Sequence, residues 1–219
     1  MKNKNLLLGF CALIYAMLLA FMLISNFTAR EAEHWRFFYA FTQQSNIIAL
    51  IWLILYGLNS FVKLPIDRFI NNRLLITAIT VYTSITFFIV VFVLNPVLAG
   101  QWQPLESSSE FFLHNATPIV MWLFFFLVPG LGKTKPIQAL YILIYPIIYL
   151  FCNIAIGMNF TYLDGKPAFA YGFTNPANYS NILFFAGFIL ALIGIFALFG
   201  LALMQLKKKI NRDYFEIIE

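Results

Sequence analysis

The sequence predicts an all-α, polytopic membrane bundle of six transmembrane helices with both termini cytoplasmic. Three observations predict it. Hydrophobic residues make up 62% of the 219 residues and charged residues only 11%, against about 45–50% apolar and about 25% charged in an ordinary soluble domain. Mean hydropathy is +0.83, so too little polar side chain is present to coat a water-soluble globule. Six continuous apolar stretches run along the chain, each near the roughly 20 residues that cross a hydrocarbon core of about 30 Å at about 1.5 Å per residue. This balance excludes a soluble enzyme, a disordered chain, a collagen and a nucleic-acid binder. The net charge of +5 matters here for where the basic residues sit rather than for its sign.

The first stretch, 6–27, follows Lys2 and Lys4 and lacks a small-x-small cleavage site. It is longer than the 7 to 15 or so residues of a signal-peptide core, so it reads as an uncleaved first span. Further spans are expected at 37–58, 74–99, 111–128, 136–157 and 181–204, all in one membrane domain covering 1–219. Continuous apolarity over about 20 residues, in place of alternation over about 10, makes them helices and not barrel strands. A cytoplasmic N-terminus leaves only Arg30, Arg36 and Lys166 of the 14 Lys and Arg outside. The positive-inside rule therefore fixes the orientation and makes Lys207–Lys209 a topology anchor. The longest connections, 100–110 and 158–180, fall outside. Cys11 and Cys152 lie in apolar runs and read as small buried hydrophobes, with no CxxC or HExxH beside them.

Polar residues inside the spans gather at one depth. The second span begins with Thr42, Gln43, Gln44, Ser45 and Asn46, and the fourth with His114, Asn115 and Thr117. The sixth follows Asn175, Asn178, Tyr179, Ser180 and Asn181, while Asn95 and Asn153 sit near the outer ends of the third and fifth. Counted along each helix, Thr42, His114 and Asn153 lie about 5 to 7 Å below the outer boundary. Polar groups in hydrocarbon must find partners, so this layer either lines an outward-opening pocket or joins helices by hydrogen bonds. Three helix N-termini at that level favour an anion if a pocket forms.

Within the expected spans His114 is the lone ionisable side chain, all nine acidic residues falling in loops or tails. That absence counts against proton or cation coupling. His34 is the only other histidine, so no zinc site is expected, nor any other metal or cofactor. His114 is left with acid–base work or structural hydrogen bonding. As a base it needs a hydroxyl in reach, and Thr42 and Ser45 share its depth. Thr42, Ser45, Asn46 and Ala49 fall on one helix face, as do His114, Thr117 and Met121.

The segment Trp35-Arg36-Phe37-Phe38-Tyr39-Ala40-Phe41-Thr42 and the segment His114-Asn115-Ala116-Thr117-Pro118, in this order and within a six-span frame, resemble the androgen-induced integral membrane hydrolases and their bacterial relatives. Characterised members of that family hydrolyse fatty acid esters of hydroxy fatty acids from within the bilayer. The resemblance implies that Thr42 is the nucleophile and His114 its base, and that the partner is a membrane lipid or fatty-acyl ester. The chain departs from the animal proteins in its more polar Gln43-Gln44-Ser45-Asn46 run and in its loop before the last span. Gln43, Gln44 and the helix N-termini are candidate donors to an oxyanion. Asn153, Asn115 or a backbone carbonyl are candidates to orient His114, with Glu110 or Asp164 if a loop folds in. A lipid ester would arrive laterally, its carboxylate held by Arg36 or Lys166. The alternative is a non-catalytic multi-pass protein that binds or transports an amphipathic anion. Abundant Phe, Ile, Asn and Lys point to a bacterial plasma membrane.

Tyr141, Tyr145 and Tyr149 form an i, i+4, i+8 stripe, read as aromatic packing with a tail-binding channel as the alternative. Thr77, Thr80, Thr83 and Ser84 are expected to bond their own helix. Pro96, Pro118 and Pro146 are expected to bend theirs.

Overall fold

Six helices are long and apolar enough to cross a membrane: Asn5–Thr28, Phe41–Phe61, Arg73–Phe92, Ser108–Leu127, Ala139–Asn159 and Ile182–Asn211. They are called the first to sixth spans below. The protein is therefore an all-α, multi-pass membrane bundle, and among the described residues it contains no strand, only two isolated bridges. The structure, a computed structural model, describes residues 2–29, 34–94, 108–131 and 135–216. Expectations for Asn95, Pro96 and most of the 100–110 loop lie outside those residues.

The second expected span, 37–58, is divided. A short helix, Trp35–Tyr39, ends at Ala40, whose backbone is extended (φ −77°, ψ 135°), and a new helix starts at Phe41. The break turns the first amides of the new helix toward Tyr149 of the fifth span and Tyr171 of the loop that follows it. The fourth span also departs from regular geometry, its turn Phe112–Ala116 being π-helical between two α-helical pieces. The last helix continues to Glu216, well beyond 204.

The first and second spans touch most closely at two glycines. A Cβ on Gly57 would stand 2.6 Å from Leu13 Cγ, and one on Gly9 would stand 2.3 Å from Ser60 Cβ. Small residues at a crossing let two backbones approach, which supplies contact energy where lipid gives no hydrophobic drive. Along this seam Ala12, Ala16, Leu19 and Leu23 are buried at helical spacing. The third span is the centre of the bundle, buried throughout from Ile76 to Thr86. As expected, Thr77, Thr80, Thr83 and Ser84 donate to carbonyls of their own helix. Ser84 Oγ also accepts from Trp122 Nε1 at 2.9 Å, a bond between spans.

Three sequence expectations are corrected. Cys11 and Cys152 are exposed on the outside of the bundle, not buried, because apolar composition does not say which side of a helix meets lipid. Lys207 is not part of an exposed anchor. It is fully buried while Lys208 and Lys209 are exposed. Its Nζ donates to the carbonyls of Phe125 and Val128 at the end of the fourth span, where helical carbonyls lack donors. Asn211 completes the clasp, exchanging bonds with the backbone of Gly130. Finally, His114 is not alone: Glu110, Arg73, Lys207, Lys208 and Lys209 also fall within the spans, at their ends. The middle of each described span remains free of charge.

Candidate active site

The loop from Phe160 to Asn181 builds one wall of the site. Thr161 bridges to Pro167, and Ala168 N donates to Phe160 O at 2.9 Å, so the chain doubles back at once. At the tip Lys166 pairs with Asp164 at 3.1 Å. The Lys166 amide and ammonium hold the Asp164 carboxyl below its ordinary pKa. Phe169 then lies on Gly157, where a Cβ would meet its ring at 2.3 Å. This close approach brings Tyr171, Phe173 and Thr174 over the N-terminus of the second span. The loop does fold in, but it delivers a phenol in place of Asp164. Lys166 is engaged with Asp164, and the Arg36 guanidinium lies 3.9 Å over the Tyr162 ring.

Thr42 and His114 meet. Thr42 Oγ1 lies 3.1 Å from His114 Nε2, and His114 Nδ1 lies 2.9 Å from the backbone oxygen of Glu110. A carbonyl can only accept, so Nδ1 carries the proton and Nε2 of the neutral ring is a free acceptor. The Thr42 hydroxyl therefore donates to Nε2. Tyr171 OH, 3.3 Å from Thr42 Oγ1, must then be the donor of that contact. The tautomer a general base requires is thus fixed by a backbone group, in the part an aspartate takes in a serine triad.

The π-helical turn explains why the faces meet. Thr117 N bonds Phe112 O, five residues back. Pro118 has no N–H, so in this register the carbonyl of Leu113 has no helical donor. Asn46 Nδ2 supplies one at 3.1 Å while also bonding Thr42 O at 2.8 Å. One amide group thereby sets the nucleophile's helix against the histidine's. Exchanging Asn46 for leucine removes both bonds and leaves a buried carbonyl unmet, at a cost of about 1–3 kcal/mol. The expected result is earlier thermal unfolding in detergent, together with faster proteolysis near residue 113; unchanged unfolding contradicts this role.

The other expected site residues mostly join helices. Gln43 Nε2 donates to Asn26 Oδ1 at 3.1 Å, and Asn26 to Ser109 Oγ. Gln44 Nε2 donates to Phe38 O at 2.7 Å, and Gln44 Oε1 accepts from Tyr145 OH. Ser45 bonds Thr42 O, Asn115 bonds Phe111 O, and Thr117 accepts from Tyr15 OH. Asn153 accepts from Thr174 Oγ1 at 2.7 Å and donates to Tyr149 OH at 3.3 Å. The side-chain amides of Gln43 and Gln44, expected at an oxyanion, donate instead to Asn26 and Phe38.

An apolar cavity of about 750 Å³, counted with its open mouth, begins at Thr42 and runs between the third, fifth and sixth spans. Its walls include Ile85, Val90, Pro146, Ile147, Ile193 and Phe196, with Tyr149, Tyr171 and Thr174 near Thr42. No charged residue lines it. A second hollow, bounded by Trp35, Phe38, Tyr39, Gln44, Cys152 and Ile156, shares Tyr149. Of the expected pocket residues other than Thr42, Gln44 alone lines either space. The expectation of three helix N-termini is also corrected. Only the second span opens here, because Asn181 caps Leu183 and Phe184 of the sixth and the fourth starts well before His114.

Thr86, Tyr149, Tyr171 and Thr174 are the cavity's polar residues that sequence reasoning missed as site residues. Tyr149 stood in the aromatic stripe; Tyr145 of that stripe packs on Phe41 and Tyr82, and Tyr141 is exposed. Tyr171 and Thr174 lie in a loop with no periodicity to read. What the fold and site define is a multi-pass α-helical membrane protein with a Thr–His pair at the head of an apolar cavity. No protein-family model, curated protein or solved structure matches the chain.

Proposed function

We propose that the protein is an intramembrane lipid-ester hydrolase in which Thr42 is the nucleophile and His114 the general base and acid. The observation that carries this reading is the chain of contacts from Thr42 Oγ1 to His114 Nε2 and from Nδ1 to Glu110 O, at the head of an apolar cavity. The Thr42 proton passes to Nε2 as Oγ1 bonds the ester carbonyl carbon. Collapse of the tetrahedral intermediate expels the alcohol oxygen, which takes the proton from Nε2. Water then attacks the acyl-threonine, giving its proton to Nε2; that proton returns to Thr42 as the fatty acid leaves.

The substrate is a fatty-acyl ester, of the kind the resemblance implies: a fatty acid ester of a hydroxy fatty acid. An uncharged, hydrocarbon-lined cavity suits the acyl chain of either ligand; the Thr42–His114 contact at its head favours hydrolysis over the alternative of carrying an amphipathic anion. The distribution of Lys and Arg supports a cell membrane location with the site in the outer leaflet. The test is a panel of lipid esters given to the purified protein in nanodiscs. Release of free fatty acid from at least one ester, lost on Thr42→Ala, is expected; no release from any ester by the wild type overturns the reading.

A further inference from the structure

We propose that the phenolic hydroxyls of Tyr149 and Tyr171 form the oxyanion hole of this site, so that both are catalytic residues; this rests on the hydrolase reading above. An ester hydrolase needs donors where the carbonyl oxygen becomes negative. The amides that commonly serve are those at a helix N-terminus, and here the first two of the second span are already covered. Phe41 N donates to Tyr149 OH at 3.2 Å and Thr42 N donates to Tyr171 OH at 3.3 Å. The glutamine amides beside Thr42 donate to Asn26 and Phe38, and neither glutamine lines this cavity. Tyr149 and Tyr171 line the cavity beside Thr42, and their phenol oxygens sit on the two amides that would otherwise serve.

Their protons are placed for the task. The Tyr149 oxygen accepts from Phe41 N and from Asn153 Nδ2. With two donors on the oxygen, its own O–H is the group Tyr149 has left to offer. Asn153 is itself fixed by Thr174 Oγ1 and by Tyr39 OH on its backbone oxygen, so the phenol stands on a supported network. The Tyr171 proton rests on Thr42 Oγ1. When that oxygen bonds the carbonyl carbon it becomes a poorer acceptor, and the proton turns to the adjacent oxyanion. An amide donating into each phenol polarises its O–H, and relays the partial positive charge of the helix N-terminus to the cavity. In the step itself the carbonyl π pair becomes the oxyanion lone pair, held by the two O–H groups. The Thr42 proton is on Nε2, and no proton leaves either tyrosine. On collapse the pair re-forms the C=O as the alcohol departs with the proton of Nε2.

The test uses Tyr149→Phe, Tyr171→Phe and the double variant in the full-length protein, with the ester on which the wild type is active. Phenylalanine keeps the ring contacts to Phe41 and Phe173 and removes only the hydroxyl. Each single change is expected to lower kcat by about a hundred-fold with little change in KM, as for loss of one oxyanion donor. A trifluoromethyl ketone analogue of the substrate, which forms a hemiketal oxyanion on the nucleophile, is expected to bind more weakly by a similar factor, while the matching unreactive ether binds as before. A merely structural role would weaken both ligands together. Incorporating 3-fluorotyrosine at each position, which preserves shape and makes the O–H more acidic, is expected to tighten the ketone; this covers the case in which a Phe variant does not fold. Wild-type kcat and unchanged ketone binding in the Phe and fluorotyrosine proteins overturn the inference and leave the hydrolase reading standing, provided Thr42→Ala is inactive. Full activity of Thr42→Ala overturns both.

Discussion

Replacing Thr42 by alanine lowers ester hydrolysis at least about a thousand-fold, the loss typical of removing a nucleophile from a unit that acts together. The change is small in structural terms. Thr42 is buried, but its helix is held by its backbone oxygen, which Ser45 and Asn46 bond, and that oxygen survives the substitution. Thermal unfolding in detergent is thus expected to stay near wild type while turnover disappears. Thr42→Ser keeps a hydroxyl 3.1 Å from Nε2 and retains turnover, though the loss of the γ-methyl frees its rotamer. Equal rates for wild type and alanine variant, both folded, contradict the assignment of Thr42.

His114→Ala is expected to cost about 10²–10⁴ in kcat, the range for loss of general acid–base catalysis. It differs from the threonine variant in its pH dependence. Wild-type activity falls on the acid side, because a proton on Nε2 blocks acceptance of the Thr42 proton, whereas the residual activity of the alanine variant rises with hydroxide and shows no such fall. His114→Asn tests the orienting contact. A shorter side chain that still bonds the Glu110 carbonyl preserves the helix turn without offering a base at Thr42, so it should remain as inactive as alanine. Recovery of most activity in His114→Asn contradicts base catalysis and favours a structural role.

How much of this was legible in the sequence varies with the physics that sets each part. Hydrocarbon demands continuous apolar helices, so the six spans and the layer holding Thr42, His114 and Asn153 could be read from composition and order. Depth could be counted because helical rise is constant. Facing could not. Whether Asn46 lined a pocket or tied two helices depended on a carbonyl left without a donor by Pro118, which is visible only once the π-helical register is known. The polar run Gln43–Asn46 accordingly proved to be mostly inter-helix and intra-helix bonding. Lys207 was misplaced for a related reason: a basic run at a helix end reads as an anchor unless one member turns inward to carbonyls. Tyr171 escaped because a loop without periodicity carries no statement of where it folds, and its return depends on Phe169 seating against Gly157.

The central claim is that Thr42 is a reactive nucleophile activated by His114. It is tested most directly by treating membranes with a fluorophosphonate and mapping the adduct by mass spectrometry. The account predicts one phosphonylated residue, Thr42, on the wild type, and no labelling of Thr42→Ala or His114→Ala. An adduct on Ser45 or elsewhere, or labelling of Thr42 that persists undiminished in His114→Ala, would contradict it.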